Sequence, residues 1–430
     1  MRFAQGVKDL FLDRSRGNSF DTLLWPTSQA AYRSSVRDRS CVIIVENLAV
    51  PIDRRVWQEA QALARVGWRV SVICPCNERY PATFEMIDGI AIYRHPLPLE
   101  AQARFGFVVE YAVALFHEFR LLVKIHRERG FSVIQACNPP DLIFLVAWPF
   151  RLLGKSFVFD QHDVAPELFI TKFGGRGPIF RVLRLCEWLT YKSADFVISA
   201  NASFREIAID RGGMHPERVE TVYSIPDRKN MYRTTPNPGA RRGRRFVLGY
   251  LGIIGNQDGV DQMVRAVEHL VKSEGFNDFQ AVVIGNGPAL ASVRTLARDL
   301  GVEDNITFTG YLTGEDLMSH VSTFDIGVIP DPINESNDIM SMNKVFEYSA
   351  LGIPTVAYRL KETTRLLGDA AIYADGPSPA ALAQACLRRM LDDSLRRECS
   401  DKASELARSS FNWQNEASKY VDVFERVLAM

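Results

Sequence analysis

The amino-acid sequence predicts an α/β protein of two parallel-sheet domains. Three observations predict it. Short apolar runs alternate with amphipathic stretches along most of the chain, the pattern of consecutive βαβ units. The alternation breaks once, over a stretch rich in Pro, Gly and Arg from Pro226 to Arg245, and then restarts. The 430 residues are enough to bury two separate cores.

Residues 1–40 carry mixed charge without sustained periodicity, and terminal flexibility is the expectation there. The first domain is expected over 41–228. Cys41–Val45 is a short buried strand, a polar loop runs to Arg55, a helix continues to Ala64, and Gly67 ends it before the strand Arg69–Cys74. Ile90–Arg94 is the next strand, and His95-Pro96-Leu97-Pro98 a turn. Phe105–Arg129 reads as one long helix with a broad apolar and aromatic face and a basic end. Ser132–Ala136 is a strand, and the apolar stretch Leu142–Leu153 is expected to be a core helix, too short to span a bilayer. Ser156–Asp160 runs into the polar loop Gln161–Glu167, which puts His162 at a strand's carboxyl end. Phe169–Lys192 mixes aromatic and aliphatic residues with Lys172, Arg176, Arg181, Arg184 and Lys192, a composition suited to lipid phosphates or to a solvated basic face. Asp195–Ser199 and Arg218–Tyr223 complete this half.

A linker is expected over 229–245, a second domain over 246–410, and an amphipathic terminal helix over 411–430. Phe246–Tyr250 is a buried strand, followed by the glycine-bearing turn Gly252–Gly259 and a helix. Gln280–Ile284 leads into Gly285-Asn286-Gly287-Pro288, and Asn305–Thr309 into Gly310-Tyr311-Leu312. Phe324–Pro330 is a strand, Asp331–Met340 a polar loop, and from Asn343 a helix begins that Gly352-Ile353-Pro354 stops. Strand, loop and helix N-terminus is where an open α/β sheet holds anions, because free backbone N–H groups and the helix dipole point at the ligand. Lys344 in the first turn opposes that dipole, and a bound phosphate would remove the conflict. Glu347, one turn on, can accept hydrogen bonds from a ribose diol.

Hydrophobic residues make up 47% of the chain and charged residues 24%, the proportions of a water-soluble globular protein. Zero formal net charge gives no global argument for nucleic acid or an anionic membrane. The seven scattered cysteines suit a reducing compartment, and Cys74 and Cys76 read as buried thiols without a partner pair for zinc. With no signal peptide and no apolar run long enough to span a bilayer, the expected place is the cytoplasm, on or off the cytoplasmic membrane face.

The run Lys344-x-x-Glu347-Tyr348-x-Ala350-x-Gly352-x-Pro354, after a strand and polar loop, resembles the donor-nucleotide site of family 4 glycosyltransferases of the GT-B fold. The resemblance extends from about residue 41 to the end. It implies two Rossmann-like domains facing each other across a cleft, a terminal helix that crosses back to the first domain, and retaining transfer of a sugar from a nucleotide diphosphate, UDP before GDP, to a hydroxyl of a glycan or lipid-linked acceptor in surface polysaccharide or glycolipid assembly. It implies no metal and no cofactor. His162, Lys344 and Glu347 become the catalytic candidates, with Asp163 placed to orient the imidazole. Donor contacts fall on Gly252, Gly255, Asn256, Gly285, Tyr311, Leu312, Ser341, Met342 and Asn343; Asn47, Arg54, Arg55 and Asp163 face the acceptor side. The chain departs from the family in three places. Its first loop has Asn47 and Pro51 where relatives have glycines. Ile253 and Asp258 stand where an Arg and a Lys clasp the donor phosphates. Ile339 replaces the first of two paired glutamates, and Glu335 and Asp338 nearby are the substitutes.

Growing negative charge on the leaving diphosphate would then fall to Lys344 and nearby backbone N–H groups. On this reading sugar transfer fails if the Lys344 ammonium lies far from the cleft or is buried against a carboxylate. Two other readings share the fold: a nucleotide-sugar epimerase or phosphorylase, and a non-catalytic nucleotide-binding homologue. Expected partners are the nucleotide-sugar donor, the glycan or lipid-linked acceptor and a peripheral membrane contact, with no nucleic acid.

Overall fold

A computed structural model describes residues 38–96 and 104–430, and side chains in the long helix only from residue 112. Expectations for residues 1–37, for Leu97-Pro98 and for the side chains of Phe105–Tyr111 lie outside the described residues.

The first half contains β1 (Ser40–Ile44), α1 (Arg54–Arg65), β2 (Arg69–Pro75), β3 (Phe84–Ile87), β4 (Ile90–His95), α2 (Arg104–Glu128), β5 (Val133–Cys137), α3 (Phe144–Arg151) and β6 (Ser156–Gln161). It continues with α4 (Ala165–Phe173), α5 (Pro178–Ser193), β7 (Phe196–Ser199), α6 (Ala202–Asp210) and β8 (Val219–Thr221). The second half contains β9 (Phe246–Leu251), α7 (Val260–Glu268), β10 (Phe279–Ile284), α8 (Leu290–Asp299), β11 (Ile306–Gly310), α9 (Gly314–Val321) and β12 (Ile326–Ile329). It ends with α10 (Asn343–Ala350), β13 (Thr355–Ala357), α11 (Lys361–Leu367), β14 (Ala371–Tyr373), α12 (Pro379–Leu391), α13 (Asp393–Ser409) and α14 (Trp413–Ala429).

The strands form two sheets, ordered β3-β4-β2-β1-β5-β6-β7-β8 and β11-β10-β9-β12-β13-β14. All pairings are parallel except β3 with β4. That antiparallel edge hairpin is absent from the sequence reading. Its turn, Asp88-Gly89, has φ of 50° and 80°, the left-handed pair that joins two twisted strands tightly. In each sheet the direction of winding reverses once, between β1 and β5 and between β9 and β12. Loops leaving the carboxyl ends of strands diverge at such a point and open a crevice.

Central strands are buried along their whole length, as helices on both faces require. Asp53 caps α1, its carboxylate accepting from Val56 N at 3.1 Å. α14 lays Trp413, Tyr420, Val423, Phe424 and Val427 into the first domain's core beside Val45 and Trp68. Its amphipathic spacing finds its apolar partner there. α3 differs from the sequence expectation of a core helix. It buries Val146, Ala147 and Phe150 but exposes Leu145 and Trp148, with Leu152 and Leu153 exposed just beyond it. No helix of the described residues is long and apolar enough to cross a membrane.

The halves also meet directly. Ser203 Oγ donates to Glu362 Oε2 at 2.7 Å in a buried contact, and Asn201 Nδ2 donates to Ile339 O at 3.0 Å.

Candidate active site

A cavity of about 400 Å³ opens where the two switch points face each other. The first domain supplies Arg54, Arg55 and His162 to its wall, and the second supplies Ser341, Asn343 and Glu347. Each comes from a loop or helix start at a strand's carboxyl end, after β1, β6 and β12.

His162 sits on the first-domain wall with its Nε2 turned inward. That nitrogen lies 2.8 Å from Asp160 Oδ2 and 3.0 Å from Arg55 Nε. Asp160 is fully buried, and its carboxylate also accepts from Arg55 Nη2 at 2.8 Å and Gln135 Nε2 at 2.9 Å. Burial opposes a charge there, but Arg55 and His162 outweigh it and hold the carboxyl well below the usual range. Glu59, 3.0 Å from Arg55 Nε, goes the other way: burial and the Asp160 charge push its carboxyl well up. One buried cation therefore balances one buried anion. Tyr420 of α14 donates to Gln135 Oε1, so the terminal helix reaches this network.

The expected partner of the imidazole, Asp163, does not fill that role; Asp160 does. The reason is strand geometry. β6 side chains alternate, so Asp160 and His162 share a face while Asp163 leaves with the loop. Asn138 is a second residue absent from the sequence reading. Its Oδ1 accepts from the backbone N–H groups of His162 (2.8 Å) and Asp163 (3.2 Å), and its Nδ2 donates to Asp141 and to Asp163 O. The alternating polar residues of β5 and β6 carried the signal for both.

On the opposite wall α10 begins at Met342, which offers no side-chain cap to the first-turn N–H groups. Ser341 and Asn343 line the cavity beside this helix start; Met342 is turned into the core. Lys344 is not the open cation that the sequence suggested. Its Nζ lies 3.0 and 3.2 Å from the two carboxylate oxygens of Asp331 and 4.8 Å from the centre of the Tyr250 ring. Burial disfavours the ammonium, yet Asp331 and then Asp258 hold its pKa above the ordinary lysine value. The glycine-bearing turn is occupied as well. Gly255 N–H donates to Asp258 Oδ2 at 2.9 Å, so one amide expected to face a phosphate already faces a carboxylate. Ile253 is 67% exposed and supplies no charge. The electrostatic condition set on Lys344 from sequence is thus not met.

Other candidates lie elsewhere. Glu335 is paired with Arg176 at 3.1 Å, and Asp338 accepts from Lys361 N at 2.8 Å; neither lines the cavity. A polar loop spends its side chains on its own anchoring, which spacing alone does not reveal. Gly252 and Gly285 pack turn against turn: a Cβ on Gly285 would meet Gly252 O at 1.8 Å. Asn47, Asn256, Tyr311, Leu312 and Asp163 do not line the cavity either, and Tyr311 is 70% exposed. Arg55 reaches the wall, but its guanidinium is tied to Asp160, Glu59, His162 and Val222 O. Arg54 is more open. Its Nη1 lies 2.8 Å from Glu347 Oε1, bridging the cleft, with the side chain 33% exposed.

Cys137, Asp160 and His162 each place one donor atom within 4.8 Å of the others. The donor set does not suit a metal. The Arg55 guanidinium already neutralises the Asp160 carboxylate and faces His162 Nε2 at 3.0 Å, and Gln135 Nε2 donates to the second carboxylate oxygen at 2.9 Å.

Two family models match the chain, "Glycosyl transferase 4-like domain" over residues 52–224 and "Glycosyl transferases group 1" over residues 245–393. A D-inositol 3-phosphate glycosyltransferase of Corynebacterium kroppenstedtii is 26% identical over 257 residues, 56% of this chain and 55% of the relative. The chain thus spans about half the length of the first curated relatives it matches. Sucrose-phosphate synthase of Thermosynechococcus elongatus shares the fold with a TM-score of 0.75 at 17% identity, covering 91% of this chain and 99% of that one. So does Anabaena HepE, solved with UDP-glucose, with a TM-score of 0.65 at 13% identity, covering 90% and 99%. With one glycosyltransferase model on each half and GT-B neighbours over nearly the whole chain, the protein belongs to the family 4-like glycosyltransferases of the GT-B fold.

Proposed function

We propose that the chain is a retaining, metal-independent glycosyltransferase that moves a sugar from a nucleotide diphosphate to a hydroxyl of a glycan or lipid-linked acceptor. Surface polysaccharide or glycolipid assembly is the setting that fits. One observation carries the reading: the two switch-point crevices face each other, with His162 on one wall and Glu347 and the uncapped start of α10 on the other. The α10 amides and dipole favour a diphosphate there. Glu347 is placed for a sugar or ribose hydroxyl, and His162 for the transferred sugar. As the C1–O bond to phosphate breaks, the acceptor oxygen attacks the same face and its proton passes to a phosphate oxygen. The cavity carboxylates support this front-side route over a covalent one, since Asp53 caps α1 and Glu347 holds Arg54. The Anabaena neighbour was solved with UDP-glucose, which makes UDP the first base to test.

The test is nucleotide release from UDP- and GDP-sugars with a panel of hydroxyl acceptors, after thermal-shift screening with UDP, GDP and ADP. Glu347→Ala should lower turnover about 100-fold. Wild-type turnover in that variant would remove the assignment. Epimerised donor in the absence of acceptor would favour the epimerase instead.

Contact with an anionic membrane surface is part of the same proposal. Ile179, Val182, Leu185 and Trp188 recur every third residue along α5, and Leu145, Trp148 and Leu152 lie on one side of α3, which packs beside it. These residues are between 44% and 74% exposed, with Arg181 and Arg184 interleaved. Co-sedimentation with anionic vesicles at low salt should be lost in Leu152→Glu/Trp188→Glu. Sedimentation equal to wild type would remove this part.

A further inference from the structure

The diphosphate site of this chain is short of positive charge. On the second-domain wall the one buried ammonium, Lys344, is shared between Asp331 and the nearby Asp258. Asp258 also takes the Gly255 amide, and Ile253 is uncharged. The lysine in the first turn of α10 is thus already neutralised, and it does not line the cavity that a nucleotide diphosphate would enter. Arg55 on the facing wall is committed to its buried network.

Arg54 is different. It stands at the start of α1, on the carboxyl-end rim of the first sheet. Its side chain is half-open, and its contacts are Glu347 Oε1 at 2.8 Å and Ser224 O at 3.4 Å. It lines the same cavity as Ser341 and Asn343, which lie on the opposite wall at the helix start where an anion would be seated. Its carboxylate partner is the group placed for sugar or ribose hydroxyls. A ligand that engages Glu347 therefore releases Arg54 inside the cleft, within a side chain's reach of the α10 amides.

We propose that Arg54 is a donor-binding residue: when sugar or ribose hydroxyls take Glu347, its guanidinium swings from that carboxylate to the diphosphate and supplies, from across the cleft, the positive charge that Ile253 and Asp258 do not. The inference rests on the nucleotide-sugar reading above. The Arg54–Glu347 pair then holds both side chains near their ligand positions. It also makes diphosphate capture depend on the two domains being closed, because cation and amides sit on opposite walls. Arg suits the task better than Lys, since its planar fork can bridge two phosphate oxygens.

The experiment is calorimetric titration of the full chain with UDP and UMP, or with the di- and monophosphate of whichever base binds. Wild type should bind the diphosphate more tightly than the monophosphate. Arg54→Met should weaken the diphosphate about tenfold and leave the monophosphate within about twofold, the loss of one charge-assisted contact. Arg54→Lys should recover part of the difference. Equal weakening of both ligands in Arg54→Met would overturn the proposal, placing Arg54 in support of Glu347 or of domain contact. An unchanged preference for diphosphate would overturn it too. Failure of wild type to bind any nucleoside diphosphate would instead remove the parent reading. Unchanged circular dichroism and melting of Arg54→Met show that binding, not folding, was measured.

Discussion

Asp160→Asn tests whether a buried charge network positions the cleft-facing imidazole. The substitution keeps size and shape and removes the negative charge. In the wild type that carboxylate receives Arg55 Nη2 at 2.8 Å and Gln135 Nε2 at 2.9 Å, and it lies 2.8 Å from His162 Nε2. An asparagine amide keeps one acceptor for Arg55 but turns an N–H₂ toward Gln135 Nε2 and His162. Removing one partner of a buried pair costs roughly 3–5 kcal/mol. Here Glu59 stands ready, 3.0 Å from Arg55 Nε, with a carboxyl pushed up largely by burial and the Asp160 charge. Once that charge is gone, Glu59 can ionise and neutralise Arg55, so the lower end of the range, about 3 kcal/mol, is expected. For a domain of this size that is a fall of roughly 6–12 °C in the melting transition. Turnover should fall further than stability explains, by about 10- to 100-fold at saturating donor, because the ring loses its orienting partner. Differential scanning calorimetry and kcat measured well below the variant's transition separate the effects. A variant that keeps wild-type kcat, or melts within about 2 °C of wild type, refutes the positioning role of Asp160.

Glu118 of α2 is buried with neither carboxylate oxygen hydrogen-bonded among the described residues, and burial pushes its carboxyl up to about 8. A carboxyl raised in the folded state binds its proton more tightly than in the unfolded chain. It therefore costs stability as pH rises from the ordinary carboxyl range toward 8, by roughly 1.4 kcal/mol for each pH unit between the two values. Glu118→Gln should raise the melting temperature more at pH 8 than at pH 5; an equal change at both would contradict this. A Cβ on Gly249 in β9 would lie 1.9 Å from the Phe324 ring, so Gly249→Ala should destabilise the second domain by roughly 1–3 kcal/mol, read by thermal melting. Because Arg55 occupies the charge-neutralising place beside Cys137, Asp160 and His162, exhaustive chelation should leave turnover unchanged. Loss restored by added divalent ion would contradict metal independence.

The alternation of apolar runs and amphipathic stretches already determined the architecture. Period two or continuous burial for strands, period near 3.6 for helices, and one Pro/Gly/Arg-rich break suffice for two parallel sheets. The Lys344–Pro354 run placed α10, because strand, loop and stop signals are all local. The β3 edge escaped because a short half-exposed strand carries little apolar pattern. The exposed side of α3 escaped because hydrophobicity does not say whether an apolar face is covered.

The charges of the cleft belong to tertiary structure alone. Lys344 and Asp331 are close in sequence, but only the fold of the loop between them buries one against the other. Asp160 and Arg55, 105 residues apart, meet because β6 ends and α1 begins at the same crevice. Arg54 and Glu347 are 293 residues apart and meet only when the two domains face each other. Local order decides which backbone segments form; which side chain neutralises which depends on distances of a few ångströms between segments far apart in the chain, and those exist only once the chain has packed.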